Sequence, residues 1–117
     1  MQIIEKFEIA KEYYTQERCY ITELHNNGSS SIARARVKPG VRTGLHSLRD
    51  SFEQYIILEG EGEVEVGGNP AVKVIPFDVV NIAADIPQRI TNTGDKDLIF
   101  LCLCIPGFKQ EAYKNLE

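Results

Sequence analysis

The sequence lacks the features of several common protein classes. No apolar run approaches the roughly 18–20 residues of a membrane-spanning helix, and the first 14 residues mix charges into an apolar stretch, unlike a signal peptide. Positive charge is also scarce, since 13 Lys and Arg stand against 17 Asp and Glu, for a net charge of −4. Nucleic-acid-binding proteins concentrate positive charge, so we expect neither a nucleic-acid partner nor a membrane partner. There is no P-loop and no GxSxG, HExxH or CxxC motif.

Cysteine is scarce as well, with only Cys19, Cys102 and Cys104. An odd number, two of them separated by one residue, is a poor basis for a disulfide framework. On a strand Cys102 and Cys104 point to the same face, where a free thiol behaves as a small hydrophobe. A CxC metal pair is the alternative, but no second CxC or CxxC supplies further ligands. We therefore predict buried, reduced thiols and a cytoplasmic location.

Short strands dominate the pattern that is present. Eight segments show period-2 alternation or are rich in β-branched and aromatic residues, with Gly, Pro and Asn turns between them. These predicted strands are 18–25, 29–37, 51–59, 61–66, 71–75, 79–83, 88–92 and 97–104. The strongest hairpin turn is 67–70, Gly-Gly-Asn-Pro. Many short strands at regular spacing predict an all-β sandwich or barrel.

Hydrophobic residues make up 43% and charged residues 26% of the 117 residues. These proportions are typical of one globular domain. We predict a single domain over 1–117, with a barrel core at about 18–105 and extensions at 1–17 and 106–117. In the last segment Phe108, Ala112, Tyr113 and Leu116 recur at helical spacing, which predicts a short amphipathic helix over a barrel end or an open edge.

The segment 39–60 carries a spaced set of polar and glycine residues. Five residues separate Gly40 from His46. Glu53 follows seven positions after His46, and six residues separate it from Gly60.

The segment 76–94 carries a second set. Pro-Phe-Asp at 76–78 is followed by a predicted strand, then by Gln88 after a proline, and by Asn92 after three more residues. Together the two segments resemble the two conserved motifs of the cupin superfamily, small β-barrels of jelly-roll type. The resemblance covers about 30–105 and implies an all-β jelly-roll barrel.

Cupin motifs usually deliver three histidines and one glutamate to a single metal ion. By motif position His46 and Glu53 match, whereas Leu48 and Gln88 stand where the second and third histidines are found. The resemblance therefore implies His46, Glu53 and Gln88 as metal ligands, with Zn, Ni, Mn or Fe as candidate ions. Sugar-phosphate isomerases of the cupin class look like a precedent for a glutamine ligand.

Strand geometry favours an interior with several polar groups. Equal parity places Tyr55 on the face of Glu53, and Asn92 on the face of Gln88. A buried carboxylate is costly unless it is paired or coordinated, so Glu53 needs either a metal ion or a cation. The arginines that could supply that cation are Arg34, Arg36, Arg42 and Arg89.

Other residues have two interpretations each. Tyr55 could donate a proton or a hydrogen bond to substrate, or serve as core, and Thr43 stands where similar proteins often line the pocket. We take Tyr55 and Thr43 as candidate catalytic residues and His25 as a surface residue. Arg34 and Arg36 are predicted to be solvated on an outer face. The alternative points an arginine toward an anionic ligand.

Three functions remain open for such a barrel. The first is a divalent-metal-dependent enzyme, of isomerase, epimerase or dioxygenase type, acting on a small oxygenated or sugar-like metabolite. The second is a metal-free barrel that binds a small polar metabolite without catalysis. In the third, His46 hydrogen-bonds Glu53 and the barrel is merely packed. The resemblance also implies a homodimer, for which exchange of a strand near the N-terminus would cover an exposed edge.

Overall fold

The computed structural model describes residues 3–117 and is built almost entirely from antiparallel strands. Its strands are β1 Tyr13–Tyr14, β2 Tyr20–Asn26, β3 Ser31–Val37, β4 His46–Leu48, β5 Phe52–Glu59, β6 Gly62–Val66, β7 Val72–Val74, β8 Val79–Ile82, β9 Gln88–Asn92, β10 Leu98–Ile105 and β11 Tyr113–Asn115. One sheet has the order β1-β2-β3-β10-β5-β8, and the other has the order β11-β4-β9-β6-β7. The predicted all-β jelly-roll class is confirmed.

All eight predicted strands are present, with ends displaced by no more than two residues. The β6–β7 hairpin forms at the predicted turn, where Gly67 has a φ of +64°. The motif glycine Gly60 has a φ of +81°, and a Cβ there would lie 2.6 Å from the carbonyl oxygen of Asp97. Neither the conformation nor the space therefore admits a side chain at Gly60.

The apolar core fills one end of the space between the sheets. Val37, Ile57, Ile90 and Leu98 are fully buried there, and each such side chain contributes about 1.5–3 kcal/mol by leaving water. Along β5 the inward residues change from Glu53 to tyrosine to Ile57. One strand thus contributes both to the core and to the polar end of the barrel.

The C-terminal segment differs from its prediction. Instead of an amphipathic helix, a single 3-10 turn at Gln110–Ala112 leads into β11, which pairs with β4 in the register Tyr113↔Leu48 and Asn115↔His46. Pairing satisfies the backbone groups along the free edge of β4, and helical spacing in so short a segment does not compete with it. None of the helical segments in 3–117 is long and apolar enough to cross a membrane.

Candidate functional site

A cavity of about 380 Å³ lies at the polar end of the barrel, between the two sheets. Its wall includes His46 and Leu48 from β4, Glu53 and Tyr55 from β5, and three residues of β10. Both terminal extensions also reach it, contributing among others Glu17 and Tyr113. The cavity is therefore completed by segments that lie outside the two sequence motifs.

Three buried side chains form a hydrogen-bonded chain across the barrel. The Tyr55 hydroxyl donates to Gln88 Oε1, and Gln88 Nε2 donates to Glu53 Oε1 at 2.7 Å. Their exposed fractions are 3%, 1% and 6%. Because Glu53 belongs to one sheet and Gln88 to the other, this chain joins the sheets beside the cavity. Gln88 itself lies behind the wall and is not part of the cavity lining.

No lysine or arginine among residues 3–117 pairs with Glu53. Its second oxygen receives only a contact from the Cys104 thiol, at 3.6 Å. Burial raises the pKa of Glu53 from an ordinary 4.5 to about 7, against the opposing effects of the Gln88 hydrogen bond and the nearby His46. Of the two partners predicted for Glu53, the arginine is not found among the four candidates, and the metal ion stays a prediction.

Three of the four candidate arginines pair with carboxylates other than Glu53, and the fourth lies outside the cavity. Arg34 and Arg36 lie on the outer face of β3, where both bind Glu12 of the N-terminal segment. The predicted outer-face position is therefore observed and the inward alternative is wrong. The side chains are not solvated, however, because the protein's own N-terminal segment covers them. Arg89 pairs with Glu65, and Arg42 lies exposed outside the cavity lining.

His46 is held from three sides. Its Nδ1 lies 2.9 Å from the carbonyl oxygen of Gly44 and 3.2 Å from a carboxylate oxygen of Glu17. Its ring stacks on Tyr113, with centroids 5.0 Å apart, and the Tyr113 hydroxyl donates to Glu17 at 3.3 Å. Since a carbonyl oxygen only accepts hydrogen bonds, Nδ1 carries the proton. Nε2 has no hydrogen-bond partner within the described chain.

The three cysteines are free, as predicted, and all of them line the cavity. The Cys19 thiol donates to Glu17 at 3.2 Å. Burial, together with the charge of Glu53, raises the pKa of Cys104 to about 12, and burial raises the pKa of Cys102 strongly. These groups therefore stand as neutral thiols, which are poor nucleophiles and poor metal ligands.

Sequence reasoning found part of this site and missed part of it. His46, Glu53, Leu48 and Tyr55 are brought together at the cavity wall. Thr43 also lines the cavity, although its hydroxyl already accepts the backbone N–H of Ile90 at 3.0 Å. His25 is outside the lining and contacts Glu5, in keeping with a surface residue.

Glu17 and Tyr113 were missed because they are far from both motifs in sequence. Glu17 precedes β2, and sequence spacing assigns Tyr113 to a predicted helix face. A signal for Tyr113 would have been the unpaired edge of β4, which needs a partner strand and receives β11.

A metal centre of His46, Glu53 and Gln88 requires three donor atoms free to face one ion. Gln88 Oε1, the ligating atom of a carboxamide, accepts from Tyr55, and Glu53 Oε1 accepts from Gln88. No group of three or more His, Cys, Asp or Glu side chains in 3–117 is arranged to hold an ion. As it stands, the hydrogen-bonded Gln88 does not fit the expected three-ligand centre, although His46 Nε2 and Glu53 Oε2 are available.

Sequence comparison relates the chain to one protein family and to one archaeal protein of similar length. The family model of the cupin domain matches residues 33–104. An uncharacterized protein of Methanocaldococcus jannaschii is 32% identical over 123 residues, covering 100% of this chain and 98% of that protein.

Solved structures share the architecture. A predicted oxalate decarboxylase from Thermotoga maritima has 31% identity and a TM-score of 0.70, covering 75% of this chain and 80% of its own. The uridine complex of Streptomyces Pac13, named a nucleoside dehydratase, has a TM-score of 0.81 at 13% identity, covering 99% of this chain and 93% of its own. At that identity the likeness to Pac13 concerns the fold alone.

Proposed function

The chain belongs to the cupin domain family, and from that premise we propose that its barrel cavity binds one small organic metabolite directly through protein side chains. The observation that carries this proposal is the chain Tyr55–Gln88–Glu53, which occupies the position of the expected metal ligands with hydrogen bonds. A cavity of about 380 Å³ suits a small metabolite, since ligand sites commonly have 300–1,000 Å³.

Two groups at the wall can exchange protons or hydrogen bonds with such a ligand. Glu53, with a pKa of about 7, holds or releases a proton near neutral pH. His46 presents Nε2, which has no hydrogen-bond partner within the described residues. These groups equip the cavity for proton transfer with the ligand, with Tyr55 and Thr43 as candidate catalytic contacts.

A fragment screen monitored by two-dimensional NMR tests the proposal. We expect binding fragments to shift the amide signals of His46, Glu53 and Tyr55. The control is Ala33→Phe, which fills the cavity from β3, where Ala33 forms part of the wall, and should abolish those shifts. Shifts that map elsewhere, or that survive in Ala33→Phe, would overturn the proposal.

Metal dependence is the second candidate function. The Nδ1–H of His46 donates to the Gly44 carbonyl, and such a bond fixes the tautomer of metal-ligating histidines and leaves Nε2 for the ion. In this candidate, Gln88 releases Tyr55, and His46, Glu53 and Gln88 hold Zn, Ni, Mn or Fe(II). When bound, the ion would supply Lewis-acid chemistry for isomerase or epimerase reactions, whereas a dioxygenase reaction would need a redox-active ion such as Fe(II).

Metal content of the untagged protein distinguishes the two candidates. Stoichiometric metal after loading, lost in both His46→Ala and Glu53→Ala, supports the second candidate, and substoichiometric metal overturns it. Leu48 is buried in the cavity wall beside His46, so Leu48→His adds the usual cupin ligand and should tighten metal binding if the geometry can accept an ion.

We further propose that the single domain forms a cytoplasmic homodimer. β1 is an edge strand of two residues, and Tyr13 and Tyr14 on it are more than half exposed, so an added strand would cover an open edge. Three free cysteines accord with a reducing compartment. Light scattering of the purified protein gives the mass, and a monomer at micromolar concentration would refute the dimer.

A further inference from the structure

The cavity wall carries negative charge and aromatic rings. Its carboxylates are Glu17, Glu23 and Glu53, and its rings are those of Tyr13, Tyr55, Phe100, Phe108 and Tyr113. Among the lining residues that the structure describes there is neither lysine nor arginine. His46 is the one lining side chain that can become a cation, and it already faces Glu17.

Glu53 provides an independent indication that the cavity binds a cationic ligand. Its side chain is 6% exposed, and its Oε2 receives only the Cys104 thiol at 3.6 Å. A thiol is a weak donor, so this oxygen lacks the strong donor or cation that a buried carboxylate requires. The arginines of β3 cannot supply it, because both lie on the opposite face with Glu12.

The aromatic rings narrow the class of cation. Tyr55 packs on Phe100 with centroids 4.6 Å apart, and Tyr113 stacks on His46. Ring faces attract organic ammonium groups, while the rings and thiols accept an apolar body. Building on the proposed function, we propose that the ligand is a small organic amine whose ammonium group binds at Glu53 and whose apolar or aromatic body lies against these rings. Carboxylates and phosphates are repelled by the same wall.

Three probes of matched shape test this assignment: 2-phenylethylamine, 2-phenylethanol and 3-phenylpropionate. Titration calorimetry and amide shifts are measured on full-length protein treated with EDTA, so that a bound inorganic cation does not compete. We expect the amine to bind at least tenfold more tightly than the alcohol, and the propionate to bind most weakly. Equal or tighter binding of the alcohol or the propionate overturns the amine assignment, as does the binding of none of the three.

Charge variants identify the group responsible. Glu53→Gln should reduce the preference for amine over alcohol about tenfold while leaving alcohol binding nearly unchanged. Glu63→Gln removes the same charge from an exposed position of β6 that is outside the cavity lining, and should leave the preference intact. Because Glu53→Gln also changes the interior, Glu17→Gln is a second variant, expected to act in the same direction.

The outcomes separate this inference from the proposed function. A preference that survives both Glu53→Gln and Glu17→Gln overturns the amine assignment. A cavity that binds the alcohol as well as the amine, with binding blocked by Ala33→Phe, leaves the proposed function in place. Binding that Ala33→Phe does not block contradicts both. If metal loading of the EDTA-treated protein restores binding of the propionate alone, the cation at Glu53 is inorganic and the amine assignment fails.

Discussion

On the outer face of the six-stranded sheet, buried charge is neutralised, whereas on the inner face it is not. Outside, the Glu12 carboxylate accepts from Arg34 at 3.3 Å and from Arg36 at 2.7 Å, and Arg36 also reaches Asp97 at 3.1 Å. Inside, Glu53 has a carboxamide and a thiol as partners, and no lysine or arginine of residues 3–117 pairs with it. The outer ion pairs hold the N-terminal segment against β3. On the inner face, the Glu53 carboxylate remains able to bind a ligand.

The pKa values of Glu12 and Glu53 are also shifted in opposite directions from their ordinary values. The Arg36 hydrogen bond holds the pKa of Glu12 below its usual value, whereas burial raises the pKa of Glu53 to about 7. The ionised form of Glu12 therefore stabilises the fold, whereas the ionised form of Glu53 destabilises it. Destabilising ionisable groups of the second kind are common at functional sites.

The largest expected effect is the pH dependence caused by Glu53. Its pKa is about 7 when folded and 4.5 ordinarily, so its favourable contribution is fully present below pH 4.5 and is lost as pH rises to 7. By linkage this loss is about 3 kcal/mol. In Glu53→Gln the loss should disappear. Urea unfolding at pH 4.5, 6 and 8 measures the difference between variant and wild type.

A constant difference between Glu53→Gln and the wild type across that range would contradict the raised pKa. The difference is informative because the contributions of carboxyl groups distant from position 53 are common to both proteins and cancel.

The next effect concerns Gln88, which joins the two sheets through its hydrogen bonds to Tyr55 and Glu53. Gln88→Leu leaves Glu53 Oε1 and the Tyr55 hydroxyl without their buried partner, and we expect it to lower the free energy of unfolding by about 2 kcal/mol. Gln54→Leu is the matched control, since Gln54 bonds Asn81 on an exposed part of β5, and should change stability by less than about 0.5 kcal/mol. Equal effects of the two substitutions in urea unfolding would show that the bridge is not stabilising.

Glu12→Gln tests the outer face and should show the reverse pH trend. It weakens charge-assisted bonds to Arg34 and Arg36, so we expect a loss of about 1.5 kcal/mol at pH 7. Because the pKa of Glu12 is lowered in the fold, its contribution is present above the unfolded pKa and lost as pH falls through the folded value. The variant and the wild type should therefore converge in acid, whereas Glu63→Gln should match the wild type throughout.

The sequence predicted the strands and the motif residues of the site well because both follow from local rules. Period-2 alternation and turn residues indicate strands within two residues of their observed ends, and motif spacing brings His46 and Glu53 to one cavity. It predicted the outer face for Arg34 and Arg36 but not the partner that they find there. That outcome depends on Glu12, more than twenty residues away in a segment with no motif, and only the folded path of the chain brings the groups together.

The same limit explains Glu17 and Tyr113. Neither has a local pattern that marks a site, and each acquires its role by contacting His46 from a different end of the chain. Long-range pairing of a terminal strand competes with local helical propensity, and here the pairing of β11 with β4 prevails.

The smallest effect extends the comparison to two buried threonines. On the outer face, next to Arg34 in the β2–β3 pairing, Thr22 is 2% exposed and its hydroxyl finds no partner among the described residues. On the inner side, the Thr43 hydroxyl accepts the Ile90 N–H at 3.0 Å. Thr22→Val removes an unsatisfied group and should raise the free energy of unfolding by about 1 kcal/mol, whereas Thr43→Val orphans a backbone donor and should lower it by a similar amount.

Both substitutions exchange a hydroxyl for a methyl group, so the change in shape is common to the two and their opposite signs report the hydrogen bond alone. Thermal and urea unfolding of the pair provide the measurement. If Thr22→Val is as destabilising as Thr43→Val, the Thr22 hydroxyl has a partner in solution, and the outer face is more fully satisfied than the contrast between Glu12 and Glu53 implies.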